Sequence, residues 1–120
     1  MGDFRQLRVW KKSKDLAVLI YRLSTDIDSL AKDFRFKDQM RSAAVSIPSN
    51  IAEGDELDTN KQSIRHFYIA KGSTAEIITQ IIIAQEIGHL PEETAKHLIE
   101  EYEHISLMLA KLIQARKKPG

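Results

Sequence analysis

At 120 residues the chain is long enough for one domain with an ordinary core and no covalent staples. It has no cysteine, which excludes disulfides and thiol chemistry and fits a reducing, cytoplasmic setting. Eighteen Lys and Arg against 17 Asp and Glu leave a formal charge of +1, a balance that does not by itself announce a nucleic-acid binder.

The start, MGDFRQLRVWKKSK, is charged where a secretory leader needs an apolar stretch, so no leader is expected. No uncharged apolar run reaches the roughly 18 residues of a membrane span. The charge is unevenly spread. Met1 to Arg22 holds six bases and two acids, and the tail from Lys111 holds four bases and no acid. Each segment is therefore +4, and the middle is −7.

A first helix is predicted from about Arg8 to Ile27, with Val9, Leu16, Ile20, Leu23 and Ile27 at helical spacing. Trp10, Ala17 and Leu19 widen that stripe, and Trp10 reads as a core or interface anchor rather than a base-stacking platform. The polar stretch Ser29 to Asp33 lacks glycine and is expected to be a tight, partly helical connection.

The second helix, Gln39 to Gly54, reads QMRSAAVSIPSNIAEG, and the rest of the chain is organised around it. Met40, Ala44, Ile47 and Ile51 line one face, while Gln39, Ser42, Ser46, Ser49, Asn50 and Glu53 make a polar stripe beside it. Pro48 donates no N–H and crowds the carbonyl of Ala44, which predicts a kink. Gly54 is a C-cap candidate. Two readings stand. One is a central bundle helix whose serines bond back to the preceding turn. The other is a packing seam or binding face that needs Arg41, Asn50 and Glu53 in fixed places.

Asp55 to Asn60 reads as a loop, with Thr59 or Asn60 capping a third helix from Lys61 to Ile87. Ile64, Phe67, Tyr68, Ala75, Ile78, Ile81, Ile82 and Gln85 are assigned one broad apolar face. The ITQIIIA segment is apolar nearly all round, more than a lone bundle buries, so self-association is predicted. Gly72 is read as a point of close helix–helix approach. Gly88-His89-Leu90-Pro91 makes the next turn. A fourth helix then repeats Ala95, Leu98, Tyr102, Ile105, Leu109 and Leu112 in a heptad-like seam, before a basic tail at 114–120.

Short connections between four long helices predict one all-α domain over 1–120, an up-and-down antiparallel four-helix bundle with a Pro-kinked second helix. In that topology the two +4 segments share one end with Lys61 and Arg65, and Asp55, Glu56 and Asp58 dilute them.

Catalytic and metal chemistry find little support. Glu86 with His89 and Glu101 with His104 have the Glu-x-x-His spacing of di-iron bundles, but they fall at different heights, and the first helix offers no glutamate. The Arg-x(4–6)-His spacing of helical ribonucleases is absent, since the arginine nearest before His66 is its neighbour Arg65. No phosphate loop or Cys-based zinc pattern occurs. The expectation is a non-enzyme with no cofactor, no metal, no small-molecule substrate and no membrane contact.

SIPSNIAEG, preceded by QMRSAAV and followed by IAKGSTAEI at Ile69 to Ile77, resembles the 23S ribosomal RNA intervening-sequence family. The resemblance runs from Val9-Trp10 to Gly88-His89-Leu90. It implies a four-helix bundle, usually a homopentamer. A related branch serves reverse transcriptases of diversity-generating retroelements as a basic, RNA-handling subunit, and for the main branch no activity is implied. This chain departs from the family at Ser42, where a second arginine often follows Arg41, and in the acidic loop Asp55 to Lys61.

Two functions follow. In the first, an oligomeric scaffold presents Arg5, Arg8, Lys11, Lys12, Lys14, Arg65, Lys111, Arg116, Lys117 and Lys118 to RNA phosphates. In the second, the protein is a protein–protein interaction scaffold with no nucleic-acid role. Its assembly is then held by Arg41, Ser46, Pro48, Asn50, Glu53 and Gly54, with Gly72, Ile78 and Ile82.

Overall fold

Caps and one left-handed glycine divide the chain into four long helices and a short one. The computed structural model describes residues 3–57 and 59–117. A 3-10 turn at Phe4–Gln6 leads into α1 (Arg8–Asp26), followed by the five-residue α2 (Asp28–Lys32). Then come α3 (Phe34–Glu56), α4 (Asn60–Glu86) and α5 (Glu92–Lys117). Lys118, Asp58 and the end of the expected basic tail lie outside the described residues.

The Asp33 carboxylate accepts the Phe36 N–H at 3.4 Å and starts α3. Thr59 rather than Asn60 caps α4, its hydroxyl accepting the Gln62 N–H at 3.2 Å. Gly88, at φ 87°, turns the chain so that the His89 N–H reaches the Ala84 carbonyl at 2.7 Å. Pro91 precedes α5, whose first turn carries Glu92 and Glu93 and whose last carries Arg116 and Lys117, each matched to the helix dipole.

The long helices run up and down, each beside the next. Pairs across α3 and α4 descend in register from Ser46 with Ser73, through Asn50 with His66, to Gly54 with Ser63. Arg41 near the start of α3 meets Ser24 near the end of α1. The result is a rod of 50 × 21 × 19 Å. Its core is closed by Ile20, Met40, Ile47, Ile51, Phe67, Ile77, Leu98, Tyr102 and Ile105, all at most 1 % exposed. Burial of each large aliphatic chain contributes about 1.5–3 kcal/mol. Three buried hydroxyls bond back within their own helices, Ser13 to the Trp10 carbonyl, Ser24 to Tyr21 and Thr74 to Ala70, while those of Ser63 and Ser73 bond across to α3.

Several expectations are corrected. The second long helix begins at Phe34, five residues before the predicted Gln39. It also passes through Gly54 to Glu56, so Gly54 is not a C-cap. That glycine is buried against α4, where a Cβ would come within 2.7 Å of Phe67 Cε1. Gly72 is the reverse: it is exposed, and a Cβ there would meet nothing within 4 Å. Among the described residues, no other helix comes within that distance of it. Pro48 is buried inside α3, which continues helical on both sides of it.

The buried face of α4 also differs from the predicted one. It consists of Ser63, Phe67, Ala70, Ser73, Thr74, Ile77, Gln80, Ile81 and Ala84. Tyr68, Ala75 and Ile82, expected inside, are exposed, because the small side chains at 70, 73, 74 and 84 let the neighbouring helices sit closer on that side. On α5 the predicted seam is buried from Ala95 to Leu109, and Ile113 replaces Leu112 at its end.

Candidate functional site

Three surfaces carry the predicted residues: a basic end, the α3–α4 seam and the outer face of α4. The basic end forms where α1 begins, α4 begins and α5 ends. Carboxylates of the same chain neutralise much of it. Arg5 makes a bidentate contact with Asp3, at 2.9 and 2.8 Å for the closest pairs, and each raises the other's ionised population. Lys12 pairs with Glu101 of α5, and the ammonium there holds the Glu101 carboxyl below its ordinary value. Lys14 pairs with the adjacent Asp15 at 2.7 Å.

Arg116 donates to the buried Asp55 carboxylate at 2.8 Å and lies 5.3 Å from the centroid of the Phe67 ring. Lys117 donates to the Tyr68 hydroxyl at 3.0 Å. Arg8, Lys11, Arg65 and Lys111 are exposed and form no ion pair among the described residues. Arg8, Lys11 and Lys12 line one groove with Asp15, His104 and Met108, about 340 Å³ in volume, between α1 and α5. Part of the expected basic end is therefore drawn away from it, since Lys12 meets Glu101 near the middle of α5 rather than at the end that carries Arg116 and Lys117. Asp55, expected to dilute the patch from a loop, is a buried residue of α3 that fixes one of the patch's arginines.

Of the polar stripe of α3, Ser46 and Asn50 are turned toward their own chain, whereas Gln39, Ser42, Ser49 and Glu53 are exposed. Ser46 Oγ lies 2.8 Å from Ser73 Oγ of α4. Asn50 Nδ2 donates to the Ser46 carbonyl at 2.9 Å, and its Oδ1 lies 3.0 Å from His66 Nδ1, which is also 3.4 Å from the exposed Glu53. Arg41 reaches back to α1, donating to Ser24 Oγ at 2.8 Å and Thr25 Oγ1 at 3.0 Å, with its guanidinium 4.5 Å from the Tyr21 ring centroid. Within the chain, these side chains build a seam joining α3 to α1 and α4.

The outer face of α4 carries the apolar surplus. Tyr68, Ile69, Ile82, Ile83 and Ile87 are 42 to 54 % exposed, and the exposed Gly72 lies one turn beyond Tyr68 and Ile69. Ile78 is half-buried at the edge of this face, where it lines a groove of about 490 Å³ against Leu107 of α5. Sequence reasoning assigned part of this face to the core. The seven-residue recurrence of Tyr68, Ala75 and Ile82 was the available signal, and it marks the exposed side of α4 rather than its buried one. Phe34, the most exposed large apolar residue among those described, carried no periodic signal because it starts its helix.

These features define an all-helical bundle with an exposed apolar side on α4 and, among the described residues, unpaired cations on α1 and α5. No helix of the described residues is long and apolar enough to cross a membrane. The chain belongs to the 23S rRNA-intervening sequence protein family, whose model matches residues 5–111. Among solved structures, it is similar to a protein of unknown function from the S23 ribosomal protein family of Bacteroides thetaiotaomicron VPI-5482. That match has a TM-score of 0.82 and 22 % identity, and it covers 88 % of this chain and 97 % of the other. At that identity the likeness speaks to the fold. No curated protein matches the chain.

Proposed function

We propose that the protein is a non-enzymatic scaffold that assembles with copies of itself through the outer face of α4. The observation that carries this reading is the exposed apolar run Tyr68, Ile69, Ile82, Ile83 and Ile87 on one helix. These residues form two apolar groups on one side of α4, Tyr68 with Ile69 and Ile82 with Ile83 and Ile87, and exposed apolar groups of this kind on a helix face favour a protein contact. Gly72, one turn beyond Tyr68 and Ile69, would admit a partner helix to close range. A homopentamer is what the family resemblance implies. Light scattering on the purified chain tests the reading: the wild type should exceed the 13.7 kDa of one copy, and Ile82→Glu should lower the mass. A wild type that stays at one copy over the whole concentration range overturns it.

A second reading, association with RNA, is favoured by the groove that gathers Arg8, Lys11 and Lys12 beside His104. Repetition around an oligomer would make this modest patch multivalent. A reverse transcriptase as partner belongs to this reading and rests on the resemblance. Titration of labelled structured RNA at about 50 and 200 mM salt tests it. Binding that weakens steeply with salt, and that Lys11→Glu flattens, supports the reading. No binding at the lower salt removes it and leaves a protein-only scaffold.

A further inference from the structure

Phe34 and the groove at the far end of α3 are flanked by side chains of opposite charge. Phe34 is 69 % exposed at the first position of the helix. Arg35 beside it is exposed, and the Lys37 ammonium lies 4.8 Å from the Phe34 ring centroid. The result is an aromatic knob with two cations around it. At the other end of the same helix, Ala52, Glu53, Glu56 and Leu57 line an open groove with Phe4 and His66, about 480 Å³ in volume. Its walls are the half-buried Phe4, Ala52 and Leu57, and its rim carries the exposed carboxylates of Glu53 and Glu56. Arg5 stands near Glu56, but Asp3 holds its guanidinium.

The 23 residues of α3, at about 1.5 Å each, place knob and groove roughly 33 Å apart on a molecule 50 Å long. They sit toward opposite ends of the rod. A contact between two different surfaces that is not returned reciprocally by the same partner repeats along an axis, whereas one that is returned closes as a two-fold pair. We propose that copies dock end to end, with Phe34 of one copy seated in the Phe4–Leu57 groove of the next and Arg35 and Lys37 against Glu53 and Glu56. One aromatic ring buries about 150–250 Å². That is far less than the roughly 1,200 Å² of a stable interface. A single contact is therefore weak, and copies already joined sideways through α4 would strengthen it by repetition.

Sedimentation velocity on the full chain across a concentration series tests the contact. The wild type should show a sedimentation coefficient that rises with concentration, and more steeply at low salt, because exposed charges are screened within about 10 Å at 0.1 M. Phe34→Ala should remove the rise. So should Glu53→Lys with Glu56→Lys, and so should Arg35→Glu with Lys37→Glu. Mixing the two charge-reversed chains should restore the rise, because each then meets a complementary end. Ile82→Glu, which acts on the lateral face, should shift the rise to higher concentration without making it insensitive to Phe34→Ala. A wild type without any rise overturns the proposal, as does a rise that survives Phe34→Ala. Growth abolished by Ile82→Glu yet untouched at Phe34 places all association on α4 and overturns the end contact alone.

Discussion

Gly54 of α3 lies so close to Phe67 of α4 that a Cβ on the glycine would stand 2.7 Å from the ring's Cε1 and 3.1 Å from the Ser63 carbonyl oxygen. The Ser63 hydroxyl donates to the Gly54 carbonyl at 2.6 Å across the same gap. Both sides of the contact are buried, and one obstacle is backbone, so the neighbours have little room to yield. Gly54→Ala should destabilise the protein by about 1–3 kcal/mol, the usual range for overpacking a core. A thermal melt of the variant beside the wild type reads this directly, and an unchanged midpoint would contradict the close approach.

Gly72 invites the opposite substitution. Its Cβ position is open, and a helical glycine costs about 1 kcal/mol against alanine. Gly72→Ala should therefore raise the melting midpoint of the protomer. If α4 meets another copy at this bare backbone, the same change should lower the assembled mass in light scattering. Stabilisation with unchanged mass would move the lateral contact away from Gly72.

The two glycines show what was legible in the sequence. The helical periods of α1 and α5 and the signals at Thr59 and Gly88 placed the turns and the bundle to within a few residues. The faces of α4 were harder, because Phe67 and Tyr68, or Ile81 and Ile82, are neighbours of equal apolarity. Hydrophobicity cannot choose between adjacent positions. The choice was made by small side chains at 70, 73, 74 and 84, whose contribution is the space they leave. The basic end was legible as a charge imbalance, but its neutralisation depends on pairs such as Lys12 with Glu101, 89 positions apart. No local pattern reports such a pair.

Arg41 holds the end of α1 to α3 through its planar fork. Two of its nitrogens donate to different hydroxyls, and its face stacks near Tyr21. A lysine keeps the charge but cannot bridge Ser24 and Thr25 while stacking. Arg41→Lys should cost about 1 kcal/mol, the net worth of a typical hydrogen bond. Urea unfolding would show it as a lower midpoint with an unchanged slope. A midpoint equal to the wild type's would mean that the fork contributes nothing beyond its charge.

Asp55 and Arg116 latch the end of α5 to the end of α3. The Asp55 side chain is 7 % exposed, and Oδ2 has no hydrogen-bond partner, so Oδ1 depends on the arginine. Removing the guanidinium leaves a buried carboxylate unpaired. Arg116→Ala should cost about 1–3 kcal/mol. Adding Asp55→Ala should recover part of that loss, which a double-mutant cycle measures. Simple additivity would deny the coupling. One consequence concerns RNA binding: a weakened Arg116 variant reports on folding as well as on phosphate contact. Lys11 and Lys111 are the cleaner probes of the basic end.

Acid should loosen the bundle at two identified carboxylates. The His89 ring N–H donates to Asp33 Oδ2 at 2.9 Å, joining the turn after α4 to the cap of α3. This hydrogen bond, with help from the Phe36 N–H, holds the Asp33 carboxyl below its ordinary 3.8. Lys12 does the same for Glu101, whose ordinary value is 4.5. In both cases the folded state binds the proton less readily than the unfolded chain, so the unfolded chain carries more protons in acid and lowering the pH favours it. The stabilisation is whole above about pH 5 and declines as the pH falls through those ordinary values toward the depressed ones. Melting midpoints measured from pH 7 down to 3 should therefore drop most steeply below pH 5. Asp33→Asn is the discriminating variant, because an amide oxygen can still accept the Phe36 N–H and cap α3 but cannot ionise. It should melt lower than the wild type at neutral pH, and its midpoint should fall less steeply in acid. An equal acid slope in the two proteins would remove Asp33 from the account and leave the response to Glu101.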